Sequence, residues 1–348
     1  MDEHSIYMRQ ALELAIKGLG STSPNPMVGA ILVCDGSIIG QGYHQKFGEA
    51  HAEVGAIQTA FTHNPHTTDR LKRSTLYVTL EPCSHFGKTP PCADLIIQHQ
   101  IPRVVVGCCD PFPQVNGKGI ERLKNAGIEV IEGVLQDECQ DLNKRFFTCV
   151  QKQRPYIILK WAQTGDGFFA PKDGSQKWIT STEAKQLVHR WRSEEDAVLV
   201  GKATALTDNP QLNVREWTGR NPKRIIIDKH LTLPKHLHLF DQSIETIVFN
   251  ALKTTIDGNT KYIQLEDFDY LLPQHIAYQL YLMDIQSVII EGGTQTLDLF
   301  IQADLWDEAR IFTGPQTWGE GIKAPILPHH TTETIQVEAD KLNFVYHH

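Results

Sequence analysis

The chain has 348 residues, which is more than one compact domain usually holds, so we expect two domains. Its hydrophobic content of 41% and charged content of 21% are those of a soluble globular protein, and no apolar run approaches the length of a membrane span. The formal net charge of −8 argues against a protein that grips nucleic acid along its whole length, although a local basic pocket for one or two phosphates stays open.

The cysteines are unevenly distributed, since all seven lie between Cys34 and Cys149. An odd number confined to one half is typical of a reduced protein with a metal site rather than of a disulfide framework. The first residues, Met1 to His4, are acidic and lack the basic segment that begins a signal peptide. We therefore expect a cytoplasmic protein.

The first half alternates helical and extended patterns, which predicts a three-layer α/β/α domain over residues 1–152. Ser23-Pro24-Asn25-Pro26 must be extended or turned, because each proline disfavours helix in the residue before it. The segment Glu81-Pro82-Cys83 follows a strand, and open α/β sheets bind ligands at such strand ends. In chain order, the expected elements are helix 6–19, strands 28–33 and 37–43, helix 51–61, strand 75–80, helix 92–100, strand 103–107, helix 120–126, strand 128–131 and helix 136–151.

The second half, residues 153–348, contains no cysteine, and the alternation of helices and strands begins again. Ser181 or Thr182 precedes an amphipathic run and is suited to cap a helix over 181–192. The pattern predicts a second α/β domain. Its expected strands are 156–161, 197–201, 224–228, 244–249, 287–291 and 309–312, and its further helices are 271–283 and 294–303.

A metal-binding pattern occupies the first half, with His51 and Glu53 followed by Pro82-Cys83 and then Cys92. One imidazole and two thiolates suit a three-ligand Zn²⁺ site, whose open fourth position could hold a water molecule made acidic by the metal. Glu53 is near enough in sequence to reach that water without binding the metal. This is the arrangement of the zinc deaminases, in which the glutamate moves protons.

Two other interpretations of this pattern stay open. Eight residues separate the two cysteines, whereas the short form of the motif has two, so the thiols could be unrelated. A structural zinc is the second possibility, because structural sites are usually closed by a fourth protein ligand. His44 or His85 could supply that ligand.

Two glycine motifs of the second half could bind a phosphate. Gly165-Asp166-Gly167-Phe168-Phe169-Ala170 matches a dinucleotide-binding fingerprint, but Pro171 follows where a helix should open, so we interpret it as a turn. Glu291-Gly292-Gly293-Thr294 lies between a buried strand and a helix whose free N–H groups would suit a phosphate, with a plain turn as the alternative. Arg192 and Arg215 could clamp a phosphate bidentately, or could be two surface arginines.

With these residues identified, the chain resembles the bifunctional deaminase/reductase family of riboflavin biosynthesis over nearly its whole length. The eight-residue gap between the cysteines is characteristic of that family. The resemblance implies a cytidine-deaminase-like first domain with one zinc ion and a dihydrofolate-reductase-like second domain that uses NADPH. It rests on Ser23–Gly29, Gly42-Tyr43-His44, His51–Val54, Glu81–Cys92, Asp110-Pro111, Gln114-Val115, Gly117-Lys118-Gly119, Leu159-Lys160, Asp166-Gly167, Trp178-Ile179-Thr180, Asp208-Asn209-Pro210 and Glu291-Gly292-Gly293.

The resemblance also implies roles for individual residues. The zinc ligands are His51, Cys83 and Cys92, the proton shuttle is Glu53, and Asn25 contacts the pyrimidine. The NADPH contacts are Ala162, Trp178, Thr204, Asp208, Lys229, Gly293, Thr294, Gln295, Thr296, Leu297, Asp298 and Leu299. The contacts to the phosphoribosyl substrate are Gln176, Arg192, Leu212, Arg215 and Glu291.

The implied activity is hydrolytic deamination of a phosphorylated diaminopyrimidine, followed by NADPH-dependent reduction of its ribosyl group to ribityl. The expected partners are this small molecule and further copies of the chain, and neither nucleic acid nor a membrane. One departure from the family pattern is Gly165, which stands where a bulky residue is usual and could weaken the reductase. A nucleic-acid base deaminase whose second half binds RNA is the competing hypothesis, and the charge of −8 argues against it.

Overall fold

The computed structural model describes residues 2–63, 67–84, 90–175, 177–328 and 332–347. The chain divides into two compact units, Met1–Gln153 and Arg154–His348. Among the helices within these described ranges, none is both long and apolar enough to cross a membrane.

The first unit is a three-layer α/β/α structure around a five-stranded sheet of order β2-β1-β3-β4-β5. Strand β1 is antiparallel to both of its neighbours, whereas β3, β4 and β5 are mutually parallel. Alternate strand residues face two separate apolar clusters, so that Leu76 and Val78 pack under one helical layer and Tyr77 under the other. The elements are α1 (Glu3–Ala15), β1 (Gly29–Cys34), β2 (Ser37–Tyr43), α2 (Ala52–His63), α3 (Thr67–Leu71), β3 (Thr75–Leu80), α4 (Cys92–Gln98), β4 (Arg103–Cys108), α5 (Lys118–Asn125), β5 (Glu129–Glu132), α6 (Gln136–Leu142) and α7 (Lys144–Lys152).

Helix α2 lies unusually close to strand β2, and two glycines make this possible. A Cβ atom on Gly40 would come within 2.2 Å of the carbonyl oxygen of Ala56, and one on Gly42 within 2.5 Å of that of Ala52. No larger residue fits either position without moving the helix. The glycines therefore set the height of the first turn of α2 above the sheet, and that turn carries Glu53.

The predicted helix over 136–151 is wrong in one respect, because two helices, α6 and α7, replace it. The break is at Asn143, whose side chain accepts a hydrogen bond from the backbone N–H of Met27 at 2.8 Å and donates one to the carbonyl of Met27 at 2.9 Å. Asn143 is buried, so these bonds satisfy polar groups that water does not reach. A contact between residues so far apart in sequence leaves no local signal.

The second unit is built on a ten-stranded sheet of order β11-β12-β10-β9-β8-β13-β6-β14-β17-β16, with a separate pair β7–β15. The seven strands from β12 to β14 in this order run parallel, and the edges are antiparallel. The elements are β6 (Tyr156–Gln163), β7 (Phe168–Ala170), α8 (Thr182–Glu194), β8 (Ala197–Gly201), α9 (Lys202–Asp208), β9 (Lys223–Ile227), β10 (Thr246–Asn250), β11 (Thr255–Asp257), β12 (Thr260–Gln264), α10 (Leu272–Leu282), β13 (Ser287–Ile290), α11 (Thr294–Gln302), β14 (Glu308–Thr313), β15 (Ile322–Lys323), β16 (Thr332–Val337) and β17 (Asp340–Tyr346).

The six strands predicted for this unit are all present, as are the three predicted helices. Ser181 is the N-cap of α8, and its hydroxyl accepts a hydrogen bond from the N–H of Ala184 at 3.3 Å. The sequence pattern did not predict helix α9 or the strands β7, β11, β12, β15, β16 and β17. These strands are short or polar and lie mostly at sheet edges, where one-sided burial gives a weak sequence pattern.

Replacing Asn143 with alanine should destabilise the first unit. The substitution leaves a buried N–H and a buried carbonyl of Met27 without their partner, which costs about 1–3 kcal/mol of the free energy of unfolding. Hydrogen exchange of first-unit peptides in increasing denaturant measures this loss.

Two controls accompany this measurement. Gln136→Ala alters an exposed position at the start of α6 and should leave the exchange unchanged. All six tryptophans lie beyond residue 160, so tryptophan emission follows the second unit alone and should not change in Asn143→Ala. Parent-like exchange in Asn143→Ala would contradict the explanation given for the helix break.

Candidate metal centre and candidate cofactor cavity

The structure brings the three predicted metal ligands together. His51 immediately precedes α2, Cys83 follows β3, and Cys92 begins α4. The Nδ1 atom of His51 lies 3.6 Å from the sulfur of Cys83 and 3.3 Å from that of Cys92, and all three ligand atoms lie within 4.8 Å of one another. Ligand atoms around a tetrahedral zinc are roughly 3.5–3.8 Å apart, because the Zn–S and Zn–N bonds are about 2.3 and 2.0 Å. The donor set and its spacing therefore fit zinc.

The three ligands share protons in a way that favours metal binding. The pKa of Cys83 is lowered to about 4, first because the Cys92 side chain donates a hydrogen bond to its sulfur and then because His51 does the same. The pKa of Cys92 is raised, because the Cys83 sulfur holds its proton and because it is buried. The hydrogen bond to Cys83 also raises the pKa of His51. A divalent cation would displace these protons and meet thiolate and neutral imidazole donors.

Glu53 lies in the first turn of α2, beside the ligands, and is almost completely buried. Burial first, and then the charge of the nearby Cys83 thiolate, raise the pKa of its carboxyl to about 7. A carboxyl with a pKa near neutrality can both release and accept a proton under physiological conditions. This is the property that a proton-transferring residue needs.

His44 is not available as a fourth ligand, since both of its ring nitrogens are engaged. The carbonyl oxygen of Ala50 lies 3.1 Å from Nδ1 and can only accept, so Nδ1 carries the proton and Nε2 accepts from the amide nitrogen of Asn25 at 3.2 Å. Asn25 is thereby oriented with its amide oxygen left for a ligand. His85 lies outside the described residues. Within them, three ligands form the group, as an open catalytic site requires.

The second unit contains a cavity of about 950 Å³ at the carboxyl ends of its parallel strands. Most of the predicted cofactor and substrate residues line it, whereas Gln176 lies outside the described residues. Leu297 is buried in the apolar core, and neither Leu297 nor Asp298 is part of the lining. The lining includes Ala162, Trp178, Arg192, Thr204, Asp208, Leu212, Arg215, Lys229, Glu291, Gly293, Thr294, Gln295, Thr296 and Leu299.

The charge of this cavity is opposite to that of the protein. Basic side chains outnumber acidic ones in the lining, although the chain as a whole carries a net charge of −8. The N-terminus of α11 also faces the cavity, and the N–H of Gly293 there donates to the hydroxyl of Thr204 at 2.8 Å. Such a lining fits a dinucleotide that carries several phosphates. The basic lining residues are Lys160, Lys177, Lys185, Arg192, Lys202, Arg215 and Lys229, and the acidic ones are Asp208 and Glu291.

The two arginines of the predicted phosphate clamp differ in their surroundings. Arg192 is buried and holds the carboxylate of Glu291 by two hydrogen bonds of 2.9 and 2.7 Å. Burial alone would raise the pKa of Glu291, but the charges of Arg192 and Lys160 lower it to about 2. Arg215 is half-exposed and donates to the side chain of Asn213 at 3.0 Å. Arg215 is therefore the arginine with the freer guanidinium.

One face of helix α8 holds the loop that carries Arg215. Three residues at helical spacing make the contacts: Lys185 pairs with Glu216 at 2.5 Å, Nδ1 of His189 accepts from the N–H of Arg215 at 3.4 Å, and Arg192 donates to the carbonyl of Asn213 at 3.3 Å. Burial and then Arg192 lower the pKa of His189 to about 4, so this imidazole is neutral and able to accept.

No role was predicted for His189 or Lys160 from the sequence. Lys160 was noted only as part of a family motif, yet it lines the cavity, and burial lowers the pKa of its amine. Its signal was a lone lysine near the end of an otherwise apolar strand. His189 gave no signal of its own, because its partner lies on a loop distant in sequence.

Residues Gly165 to Gly167 form a turn, as predicted, and are not part of the cavity lining, whereas Phe169 and Ala170 of β7 line it. The N–H of Gly165 donates to the carbonyl of Gln316 at 2.8 Å. The carboxylate of Asp166 accepts from the N–H groups of Trp318 and Gly319 at 3.0 and 2.7 Å. These bonds hold the turn against residues 316–319.

Comparison with known families gives two matches that lie in different units. The RibD C-terminal domain family matches residues 155–342. The cytidine and deoxycytidylate deaminase zinc-binding region matches residues 1–108. Together they confirm the predicted fold class, a cytidine-deaminase-like unit followed by an α/β reductase unit.

Individual proteins resemble the chain over nearly its full length. The riboflavin biosynthesis protein RibD of Aquifex aeolicus is 43% identical over 91% of this chain and 88% of its own length. The crystal structure of a diaminohydroxyphosphoribosylaminopyrimidine deaminase/5-amino-6-(5-phosphoribosylamino)uracil reductase from Thermotoga maritima is 38% identical, with a TM-score of 0.89 over 99% of this chain and 98% of that one. Acinetobacter baumannii RibD is 34% identical, with a TM-score of 0.87 over 99% of each chain.

The purified protein should contain about one zinc ion per chain, because three protein ligands define one catalytic site. Cys83→Ser and Cys92→Ser should each lose most of this metal, since a hydroxyl is a much poorer zinc ligand than a thiolate. Atomic absorption on dialysed protein measures the content. Cys109→Ser removes an exposed thiol from the same unit and should keep the parent content. Full zinc occupancy in both ligand variants would refute the assignment.

Proposed function

Since the chain belongs to the RibD family of riboflavin biosynthesis proteins, it is a bifunctional deaminase and reductase, and we propose that its two units divide the two reactions between them. The first unit, residues 1–152, would remove the amine and the second, residues 153–348, would reduce the ribosyl group. The observation that carries the proposal is the zinc-competent trio beside a buried glutamate in one unit and a basic, nucleotide-sized cavity in the other.

The proposed substrate of the first unit is the diaminopyrimidine ribosyl phosphate for which the Thermotoga relative is named. His51, Cys83 and Cys92 would hold zinc, which supplies Lewis-acid activation of a water molecule when bound. Glu53 would take one proton from that water and deliver it to the ring nitrogen, and would then carry a second proton, from the hydroxyl added to the ring carbon, to the amine that leaves as ammonia. The amide oxygen of Asn25 would accept a hydrogen bond from the pyrimidine. The pKa of Glu53, raised to about 7, supports this double role.

The second unit would bind NADPH and the deaminated intermediate together. When bound, NADPH would supply the hydride that reduces C1′ of the ribose, and this reduction converts the ribosyl group to ribityl. The turn at Gly293 and the start of α11 would hold the pyrophosphate, and Arg215 would hold the substrate phosphate. Glu291 keeps its charge at neutral pH, so it would accept hydrogen bonds from the sugar hydroxyls. A cavity of about 950 Å³ is at the upper end of the usual range for ligand sites, about 300–1,000 Å³, which supports joint occupancy.

We also propose a cytoplasmic location and a homo-oligomeric state. The seven cysteines, all of which lie within the described residues, form no disulfide, which is usual in a reducing compartment and supports the first of these. Sedimentation of the purified protein measures the second.

Glu53→Gln should keep zinc and fold but lose deamination by about 10²–10⁴-fold, because the amide is nearly isosteric yet cannot accept and return a proton. Ammonia release from the diamino substrate measures the loss. Glu49→Gln makes the same chemical change at an exposed position four residues earlier and should behave like the parent. Glu53→Gln should still oxidise NADPH normally when it receives the deaminated intermediate. Near-normal ammonia release would mean that another residue moves the proton.

Arg215→Ala should weaken reduction and leave deamination unchanged. Loss of a charge-assisted contact to a phosphate costs about 1.5–3 kcal/mol, which is roughly a 10- to 150-fold loss in kcat/KM for the intermediate. NADPH absorbance follows the reaction. Arg190→Ala removes an exposed arginine of helix α8 that pairs with Glu194, and it serves as the matched control.

Two outcomes would change this assignment. If Arg215→Ala consumes NADPH like the parent, Arg215 does not hold the phosphate. If the parent itself consumes none, the family departure at Gly165 becomes the explanation, and a bulky residue at that position should recover activity.

A further inference from the structure

Glu81 is a buried carboxyl that joins the end of β3 to the start of α5. One oxygen, Oε1, accepts from the N–H groups of Gly119 and Ile120 at 2.9 and 3.3 Å. The other, Oε2, accepts from those of Gly117 and Asp110 at 2.9 and 3.2 Å. Because backbone N–H groups can only donate, both oxygens of the Glu81 side chain accept.

The charge of this carboxylate is balanced by backbone dipoles. The four hydrogen bonds to the Glu81 side chain all come from backbone N–H groups, and Gly119 and Ile120 belong to the first turn of α5. The first N–H groups of a helix have no partner within it, and the helix dipole favours a negative charge there. The N-cap residue Gly117 has no side chain to fill this need. Glu81 therefore caps α5 from a different element.

The cap presses α5 against the turn that carries a metal ligand. A Cβ atom on Gly119 would come within 2.0 Å of the carbonyl oxygen of Pro82, so the two backbones are in direct contact. Cys83 follows Pro82 immediately, and it is also tied to α4, since its carbonyl accepts from the N–H of Ala93 at 3.2 Å and its sulfur from that of Cys92 at 3.3 Å. The turn bearing Cys83 is thus held between two helix N-termini.

We propose that Glu81 is a positioning residue of the metal centre: by docking the Pro82–Cys83 turn on α5, it keeps the Cys83 thiolate at ligand distance and slows the release of zinc. The proposal rests on the zinc centre of the proposed function. It differs from a merely stabilising cap, because such a cap would affect unfolding without changing how the folded protein holds its metal.

The test is the rate at which zinc passes from folded protein to a chromogenic chelator. Glu81→Gln replaces one accepting oxygen by an NH₂ group that faces N–H donors, so the turn should loosen and zinc release should accelerate at least tenfold. Cobalt-substituted protein gives a second readout, since its thiolate-to-cobalt absorption should weaken when Cys83 moves from its position. Glu121→Gln, an exposed glutamate in the first turn of α5, is the charge control and should match the parent in both.

A milder pair of variants keeps the test decisive if Glu81→Gln does not fold. Gly117 and Gly127 flank α5 with φ values of 84° and 81°, and a Cβ atom at either meets no neighbour within 4 Å. Alanine therefore introduces the same backbone strain at both, but only Gly117 donates to Glu81. We expect faster zinc release in Gly117→Ala than in Gly127→Ala.

Two results would overturn the inference. If Glu81→Gln releases zinc like the parent, the Glu81 side chain only stabilises the fold. If Glu81→Gln does not fold, parent-like zinc release from Gly117→Ala would show the same. Equal release rates in Gly117→Ala and Gly127→Ala would do the same. A parent protein that binds no zinc would instead refute the metal centre of the proposed function, and the inference with it.

Discussion

Both sites depend on one constraint, the direction of parallel strands. Parallel neighbours joined through crossover connections deliver their carboxyl ends to the same edge of a sheet, where helix N-termini also point. In the first unit, Leu80 pairs with Cys108, so the segment with Glu81 and Cys83 emerges beside Asp110. In the second, Leu159 pairs with Ile290, which sets Lys160 beside Glu291. The chain thus collects charged and metal-binding groups from segments that are distant in sequence.

The zinc centre could be predicted because its residue types rarely occur together in this pattern for any other purpose. An imidazole, a glutamate and two thiols in that order point to a zinc site. Strand β3 was predicted with its observed bounds, Thr75–Leu80. Helix α8 could also be predicted, since the serine that caps it precedes an amphipathic run. These signals are local in sequence. They come from backbone hydrogen bonding and burial within a few residues.

The parts that escaped prediction are pairings between distant residues. No pattern near Asn143 announces its bonds to Met27, and none near Asn25 announces that His44 orients its amide. For Arg192 and Arg215 the sequence left open a phosphate clamp or two surface arginines, whereas in the structure Arg192 is buried and bound to Glu291. Strand β17 was missed because its assignment depends on β14 and β16, which lie on either side of it in the sheet. Such facts belong to the tertiary structure, which periodicity does not encode.

The contacts of helix α8 bear on how the second unit can change through evolution. Lys185, His189 and Arg192 each meet a partner on the loop of residues 213–216, and Arg192 also holds Glu291. A substitution at any of these positions alters the setting in which the others act, so their effects are not additive. Glu216 and Lys185, for example, would tolerate exchange more readily as a swapped pair than one at a time. The effect of a substitution in helix α8 therefore depends on the residues of the loop 213–216, and we expect the helix and the loop to change together among related chains.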